Sequence, residues 1–188
     1  MASEKKIDYV LLGLLSHESL SGYDIKKRLD NRLRFFWNAS YGSIYPALSK
    51  LEEQKYITKC GLTENGREKL IYTITEQGRS YLYTWLQKPV VKDELRYETL
   101  LKLFFGNQAG PDITLHHIEE FEQKIRRELP FLQECAHQLA QYPEDATHTY
   151  YLLTVHFGIK TYEAYLEWCC FAKKTLDTLK RKGMCEHV

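Results

Sequence analysis

The chain has 188 residues and a nearly balanced charge, with 26 Lys and Arg against 25 Asp and Glu. No apolar segment is long enough to span a membrane, and no signal peptide is expected, because the Lys5-Lys6 start is not followed by the apolar run of such peptides. The five cysteines are odd in number and form no Cys-x-x-Cys pair, which argues against a disulfide framework and favours a reducing, cytoplasmic setting.

The charge is divided unevenly along the chain. Residues 1–88 contain 14 Lys and Arg against 10 Asp and Glu, whereas residues 89–188 contain 12 against 15. A positive first half and a negative second half are expected if only the first half binds nucleic-acid phosphates, although ordinary scatter produces charge differences of this size. Because the chain also breaks at Pro89, we predict two domains, 1–88 and 89–188.

The first thirty or so residues predict two short helices. Apolar residues between Ile7 and Leu15 recur at helical spacing and define one buried face. Ser21, with Asp24 three residues later, is an N-cap pattern, so a second helix is expected from Gly22 to about Asn31.

Residues 40–54 predict a third helix with an unusual outer face. Ile44, Leu48 and Leu51 form one stripe that we expect to be buried. The other faces present small hydroxyls, one phenol and one cation where a merely solvated helix carries mixed charges: Ser40, Ser43, Ser49, Tyr45 and Lys50. Such side chains suit a helix that lies close to a nucleic-acid groove. Pro46 is expected in the first turn, where a missing N–H matters least, so the helix should start between residues 40 and 43.

A β-hairpin is predicted after this helix. The runs Tyr56–Cys60 and Leu70–Ile74 are β-branched and aromatic, and Asn65-Gly66 between them is a strong turn signal. Arg67 and Lys69 are predicted at the tip of this hairpin, where a wing would reach the DNA backbone.

Thr75 is expected to cap a fourth helix that turns Leu82 and Trp85 inward. The order is then helix, helix, helix, hairpin, helix, which is that of a winged helix-turn-helix. The basic hairpin comes directly after the hydroxyl-rich helix, and this order favours DNA binding more than any single element does.

Three more helical segments are predicted in the second half, and the last two are long. The middle one should run from Asp112 to Gln141 with a kink at Pro130, and the last from Thr147 to about Arg181. The last helix has a heptad seam typical of a coiled coil: Tyr151, Val155, Gly158, Tyr162, Tyr165, Cys169, Ala172, Leu176 and Leu179. Further apolar residues lie off this seam: Tyr150, Leu153, Phe157, Trp168 and Phe171. We expect the two long helices to pack on each other and a second subunit to cover the remaining apolar face.

Several segments resemble the PadR family of bacterial transcriptional regulators. The most specific is residues 40–52, Ser-x-Gly-Ser-Ile-Tyr-Pro-Ala-Leu-x-x-Leu-Glu; residues 11–15, 21–25 and 72–79 are also similar to that family. The helical second half is more loosely similar to the C-terminal domain of its phenolic-acid repressors and virulence-gene activators. The wing departs from the family pattern, since residues 66–70 read Gly-Arg-Glu-Lys-Leu where Gly-Arg-Pro-Arg-Lys is usual. A smaller wing contribution to DNA binding is therefore expected.

The resemblance implies a mainly α fold, in which a winged helix-turn-helix precedes a long-helix dimerisation domain. It also implies a sequence-specific DNA-binding regulator that acts as a homodimer on double-stranded operator DNA. We expect a repressor and a small aromatic effector that releases it, although the sequence leaves open both activation and the existence of an effector. The predicted DNA contacts are Ser40, Tyr41, Ser43, Tyr45, Ser49, Lys50, Arg67 and Lys69. Tyr45 is equally suited to pack its ring against the second helix. No cofactor is expected.

Other functions are weighed against this prediction. An enzyme is disfavoured, because the sequence has no Ser-His-Asp order, paired carboxylates or phosphate-binding glycine loop. His116-His117 and residues 185–187 lack the spacing of zinc ligands. A winged helix that binds protein or senses a ligand without DNA is the alternative, although a protein interface should be richer in aromatics and Met than residues 40–50. The candidate effector residues are His156, Tyr162, Tyr165 and Trp168, which would serve equally well in a dimer core.

Overall fold

The computed structural model describes residues 6–33, 37, 41–64, 67–91, 93 and 97–185. The chain forms two compact units, Met1–Asp93 and Glu94–Val188. It is mainly helical, with one small sheet, as the sequence predicts. No helix of the described ranges is long and apolar enough to cross a membrane.

The N-terminal unit begins with two helices, α1 (Lys6–Leu15) and α2 (Gly22–Arg28). The predicted cap of α2 is confirmed as a full capping box, since the Ser21 hydroxyl accepts from the Asp24 N–H and the Asp24 carboxylate accepts from the Ser21 N–H. The helix does not continue to residue 31 as an α-helix, because its last turn widens into a π-helix at Leu29–Leu33.

Helix α3 (Tyr41–Glu53) is followed by the hairpin of β2 (Ile57–Glu64) and β3 (Arg67–Ile74). The two strands are antiparallel, and their last described pair is Glu64 with Arg67. The predicted turn residues 65 and 66 lie outside the described residues. The sequence did not predict β1 (Leu20–Ser21), a two-residue strand that pairs with β3 and completes a sheet of order β1-β3-β2.

A sharp turn joins α3 to β2. The Lys55 N–H donates to the Glu52 carbonyl at 2.9 Å, and the Tyr56 N–H donates to the Leu51 carbonyl at 2.9 Å. This is a Schellman turn, and Lys55 occupies its left-handed position with φ of 62°.

One core joins the elements of the N-terminal unit. It is built from α1, α2, α3 and the sheet, and its buried residues include Leu11, Leu12, Ile25, Ile44, Leu48, Leu51, Ile57 and Tyr72. The fourth helix, α4 (Glu76–Leu86), begins at its predicted cap, where the Thr75 hydroxyl accepts from the Gly78 N–H. Leu82 packs against the core, and the Trp85 ring stacks on Tyr9 with centroids 4.6 Å apart.

The C-terminal unit contains α5 (Glu98–Phe104), a 3-10 turn (Gly106–Gln108), α6 (Pro111–Ala140) and α7 (Ala146–Cys185). Helix α6 continues through Pro130 as a single α-helix. The predicted seam of α7 packs against α6 of the same chain: Cys169 and Ala172 share a buried cluster with Ile118. Polar contacts such as Tyr162 to Glu128 at 2.6 Å hold the pair in an antiparallel arrangement.

Candidate nucleic-acid interface and effector region

Helix α3 separates a buried face from an exposed one, as its sequence predicts. Ile44, Leu48 and Leu51 are fully buried. Gly42, Tyr45, Pro46, Ser49 and Lys50 are exposed, and Ser43 is half-buried. The unit therefore presents a helix whose outer surface carries an exposed serine, a half-buried serine, a phenol and a cation, side chains that can hydrogen-bond to phosphates and base edges.

The start of α3 differs from the sequence prediction in the position of Pro46. Pro46 falls in the second turn and not the first, because α3 already begins at Tyr41. The proline has no N–H for the Gly42 carbonyl, but Gly42 is exposed, so solvent can satisfy that carbonyl. Ser40 and the side chain of Tyr41 lie outside the described part of the chain.

Tyr45 packs against the second helix while keeping 47% of its surface exposed. Its ring lies over Gly22, where an added Cβ would be 2.8 Å from both Cε1 and Oη of Tyr45. A glycine at the start of α2 therefore permits the close approach of α3. The two roles predicted for Tyr45 are geometrically compatible, because the hydroxyl end of the ring packs against α2 while about half of the residue's surface stays exposed.

Lys50 is tied to the first helix. Its Nζ donates to Asp8 Oδ2 at 2.5 Å, and the Asp8 side chain is buried. This hydrogen bond raises the pKa of Lys50 above its usual value, so the side chain stays charged. Lys50 nevertheless remains about half exposed on the outer side of α3.

The wing holds the other two predicted cations. Arg67 opens β3, but its side chain lies outside the described part of the structure. Lys69 is not at the tip: it pairs with Leu62 in the ladder, and its Nζ lies 3.0 Å from Asp24 Oδ2 of α2. The sequence predicted Lys69 as a tip residue because it could not reveal that the strand turns this side chain towards α2.

Most of the other described cations near this surface also have carboxylate partners. Lys59 Nζ lies 2.8 Å from Glu52 Oε2, and Arg28 Nη1 lies 2.6 Å from Glu18 Oε1. Lys26 pairs with Asp30 one turn along. These ion pairs leave the net charge of residues 1–88 unchanged, but they place a carboxylate beside each of these cations. The outer face of α3 is therefore the more distinctive feature of this surface.

Sequence reasoning missed Asp8 and Gly22 as contributors to this surface. Asp8 had one usable signal, since a carboxylate among Ile7, Tyr9 and Leu11 on an apolar helix must find a cation when it is buried. Gly22 had none, because the ring that covers it comes from a different helix.

The predicted effector residues fall into two groups in the C-terminal unit. Tyr162, Tyr165 and Trp168 of α7 belong to an aromatic cluster, in which the Phe121 ring lies 5.7 Å from Tyr165 and 6.3 Å from Trp168. His156 is exposed elsewhere on α7. The cluster rings contact one another, so they fill much of the space between them.

Tyr97, at the start of α5, completes the cluster. It shares a hydroxyl–hydroxyl hydrogen bond with Tyr165 and makes an edge contact with Phe121 at 6.0 Å. Burial and the hydrogen bond with Tyr165 raise the pKa of Tyr97 well above its usual value, so its phenol stays protonated.

A separate cleft of about 330 Å³ opens where α5 meets the start of α6. Its lining is mainly apolar, with Lys102, Thr114 and His117 as the polar members: Leu101, Lys102, Phe105, Ala109, Ile113, Thr114 and His117. None of the predicted effector residues is among them. Among the described residues, no group of three or more His, Cys, Asp or Glu side chains could hold a metal ion.

One face of α7 remains uncovered. Four large apolar side chains that lie off the seam are strongly exposed: Tyr150, Leu153, Phe157 and Phe171. Trp168, predicted with them, is half-buried against the α6–α7 core instead. An apolar row of this kind on a long helix is typical of an interaction surface.

Known proteins match both units. Residues 11–84 match the transcriptional regulator PadR-like family, and residues 95–177 match the virulence activator alpha C-terminal family. The negative transcriptional regulator PadR of Bacillus subtilis is 31% identical over 125 residues, which are 63% of this chain and 69% of that protein.

Solved structures are similar over nearly the whole chain. A PadR-like transcriptional regulator from Bacillus cereus has a TM-score of 0.73 at 30% identity, covering 94% of this chain and 99% of that one. Bacillus subtilis PadR has a TM-score of 0.78 in complex with operator DNA (26% identity) and 0.71 in complex with p-coumaric acid (25% identity). Each of these two covers 92% of this chain and 99% of the other. The chain belongs to the PadR-like family of transcriptional regulators.

Proposed function

We propose that this regulator is a homodimeric repressor that binds operator DNA through its N-terminal unit and is released by a small aromatic effector. The observation that carries the proposal is the outer face of α3, where Tyr45, Ser49 and Lys50 are exposed and Ser43 is half-buried, opposite a fully buried apolar stripe. The relative described as a negative regulator, and its complex with operator DNA, support the same function.

In this proposal α3 lies in the major groove. Ser43, Tyr45 and Ser49 contact base edges or phosphates, with Ser40 and Tyr41 at the entry of the helix. Lys50 contacts a phosphate through its half-exposed side chain, and the negative charge of Asp8 weakens this attraction. Arg67 reaches the backbone or the minor groove from the wing.

The C-terminal unit provides the dimer contact. The exposed row of Tyr150, Leu153, Phe157 and Phe171 on α7 is the surface that we assign to the second subunit. Burying apolar side chains of this size stabilises an association by roughly 25 cal/mol per Å² of surface removed from water, before the entropy of association is subtracted.

The effector is a small aromatic compound held by the C-terminal unit. The complex of Bacillus subtilis PadR with p-coumaric acid supports this chemistry. Tyr162, Tyr165 and Trp168 offer rings for stacking, with two hydroxyls and one indole N–H for hydrogen bonds. His156 remains a candidate on the exposed part of α7.

DNA binding can be tested without knowing the operator. The wild-type protein is used to select duplexes from a random library, and binding to the selected duplex is titrated at several salt concentrations. Ser49→Glu should weaken binding by at least tenfold, because it places a carboxylate on the face assigned to the groove. Ser80→Glu on the exposed side of α4 is the matched control and should change affinity little. Failure to select any duplex would contradict the proposal and favour a protein-binding winged helix.

Repression and effector release need a second experiment. A reporter gene under the selected duplex should be silenced by the protein and restored by p-coumaric acid or a related phenolic acid. Activation of the reporter would exclude a repressor. A thermal-shift titration with the same acids tests binding directly, and no shift with any of them would exclude this effector class.

A further inference from the structure

Three elements of the N-terminal unit meet at the first turn of α2. The Tyr45 ring of α3 lies over Gly22, Lys69 of β3 pairs with Asp24 at 3.0 Å, and Ser21 belongs to strand β1, where it pairs with Ile71 of β3. Helix α3, the recognition helix of the proposed function, and the wing, formed by β2 and β3, are therefore both attached to the same four residues, 21–24. We call these four residues the α2 junction.

Asp24 is the side chain that joins these attachments. Its Oδ2 accepts from the Ser21 hydroxyl at 2.6 Å and from Lys69 Nζ at 3.0 Å, while its N–H donates to the Ser21 hydroxyl at 3.1 Å. The hydrogen bonds from Ser21 and Lys69 hold the pKa of Asp24 below its usual value, so the carboxylate stays charged. One carboxylate thus caps α2 and restrains the wing strand.

We propose that Asp24 is a positioning residue for DNA binding: through Lys69 it fixes the wing relative to α2, and hence relative to the recognition helix that packs on Gly22. This rests on the proposed function of α3 and the wing. Lys69 then acts by anchoring the wing, and phosphate contact is left to Arg67.

The change in charge on substituting Asp24 distinguishes this positioning role from a direct contact of Lys69 with a DNA phosphate. If Lys69 binds a phosphate, Asp24 competes for its ammonium and adds negative charge near DNA, so Asp24→Asn should tighten binding. If Asp24 positions the wing, the same substitution should weaken binding even though it removes a negative charge. Asparagine keeps an oxygen that can accept from Ser21, so the helix cap is largely preserved.

The first measurement is made on the free protein. Hydrogen exchange of the β3 amides 70–73 should speed up in Asp24→Asn and in Lys69→Met by about two- to fivefold, the range expected for an exposed ion pair. Glu18→Gln, which breaks the Arg28–Glu18 pair with the same change of charge, is the matched control and should leave these amides unchanged. Unchanged exchange in both junction variants would overturn the proposal whether or not the protein binds DNA.

The second measurement uses the selected duplex and a random-sequence duplex. Asp24→Asn and Lys69→Met should each weaken binding to the selected duplex by about two- to fivefold, and the double variant should lose no more than either single one. The salt dependence should keep its slope in Asp24→Asn. Two results would show that Lys69 contacts a phosphate and would overturn the proposal. One is tighter binding by Asp24→Asn; the other is a salt-dependence slope that falls by about one unit in Lys69→Met but not in Asp24→Asn.

Discussion

The two units of this chain solve the problem of burying apolar surface in different ways. In the N-terminal unit, helices α1 to α3 and the sheet close around a continuous core of fully buried Leu and Ile side chains. In the C-terminal unit, two helices of 30 and 40 residues share a thin core, and large apolar side chains remain exposed along α7. The first unit therefore closes its core within one chain, whereas the second leaves an apolar face of α7 exposed, which is the face that the proposed dimer would cover.

The largest expected effect lies in the core of the N-terminal unit. Leu48→Ala leaves a cavity beneath α3, because the side chain is fully buried, and it should lower the free energy of unfolding by about 2–5 kcal/mol. Leu86→Ala, at an exposed leucine of α4, should change it by less than about 0.5 kcal/mol. Urea denaturation measures both, and equal effects would mean that the unit is not closed as described.

The second prediction concerns the exposed face of α7. Leu153→Asp and Phe157→Asp each place a charge in the assigned dimer surface and should weaken association by about 2–4 kcal/mol. Analytical ultracentrifugation over a range of concentrations measures this. Val90→Asp makes the same kind of change at an exposed residue of the first unit and should leave the dimer intact. Dimers that survive both α7 substitutions would place the interface elsewhere.

Two glycines test how tightly each unit is packed. Gly22→Ala brings a methyl group to 2.8 Å from the end of the Tyr45 side chain and should lower stability by about 1–3 kcal/mol, with weaker DNA binding because the Tyr45 ring is displaced. At Gly158 the nearest atom is the end of the Leu132 side chain, at 3.2 Å, which can shift. Gly158→Ala should therefore be nearly neutral, or stabilising by up to about 1 kcal/mol, since alanine favours the helix. Thermal unfolding and DNA titration of both variants check this contrast.

The smallest expected effect is a pH dependence of the C-terminal unit. Glu122 of α6 is buried and accepts hydrogen bonds from Lys173 of α7 and from Arg126, and these hold its pKa below the usual value of 4.5. The contribution of Glu122 to the free energy of unfolding is therefore fully present above about pH 4.5, and it is lost as the pH falls through the lower, folded-state pKa. We expect less than about 1 kcal/mol for this loss.

Urea denaturation between pH 3 and pH 6 measures this effect. Glu122→Gln should remove that part of the pH dependence. Glu134→Gln changes an exposed carboxylate on the same helix and serves as the control. A pH profile that is identical in the wild type and in Glu122→Gln would show that the Lys173–Glu122 contact does not couple the two helices.

Features encoded by neighbouring residues could be predicted from the sequence. The buried stripe of α3, the cap of α2 at Ser21 and the cap of α4 at Thr75 depend only on residues within one or two turns. Strand β1 could not be predicted, because two residues become a strand only through their partner β3. The pairs of Lys50 with Asp8 and of Lys69 with Asp24 join residues far apart in the chain.

The seam of α7 marks another limit of sequence analysis. A heptad pattern requires a partner helix but does not say whether that helix belongs to the same chain. Here Cys169 and Ala172 meet Ile118 of α6, so the seam is at least partly satisfied within one subunit. The off-seam residues Leu153 and Phe157 were the better pointers to an uncovered surface.

The turn after α3 has a practical consequence. Lys55 adopts a left-handed backbone conformation that favours glycine, and it is exposed. Lys55→Gly should relieve that strain and raise the stability of the first unit by about 0.5–1 kcal/mol without altering the core or the face of α3. Substitutions in the DNA-binding surface could then be made in this more stable variant, so that a loss of DNA binding would be measured on protein that is still folded. Stability and recognition could then be varied independently in the same molecule.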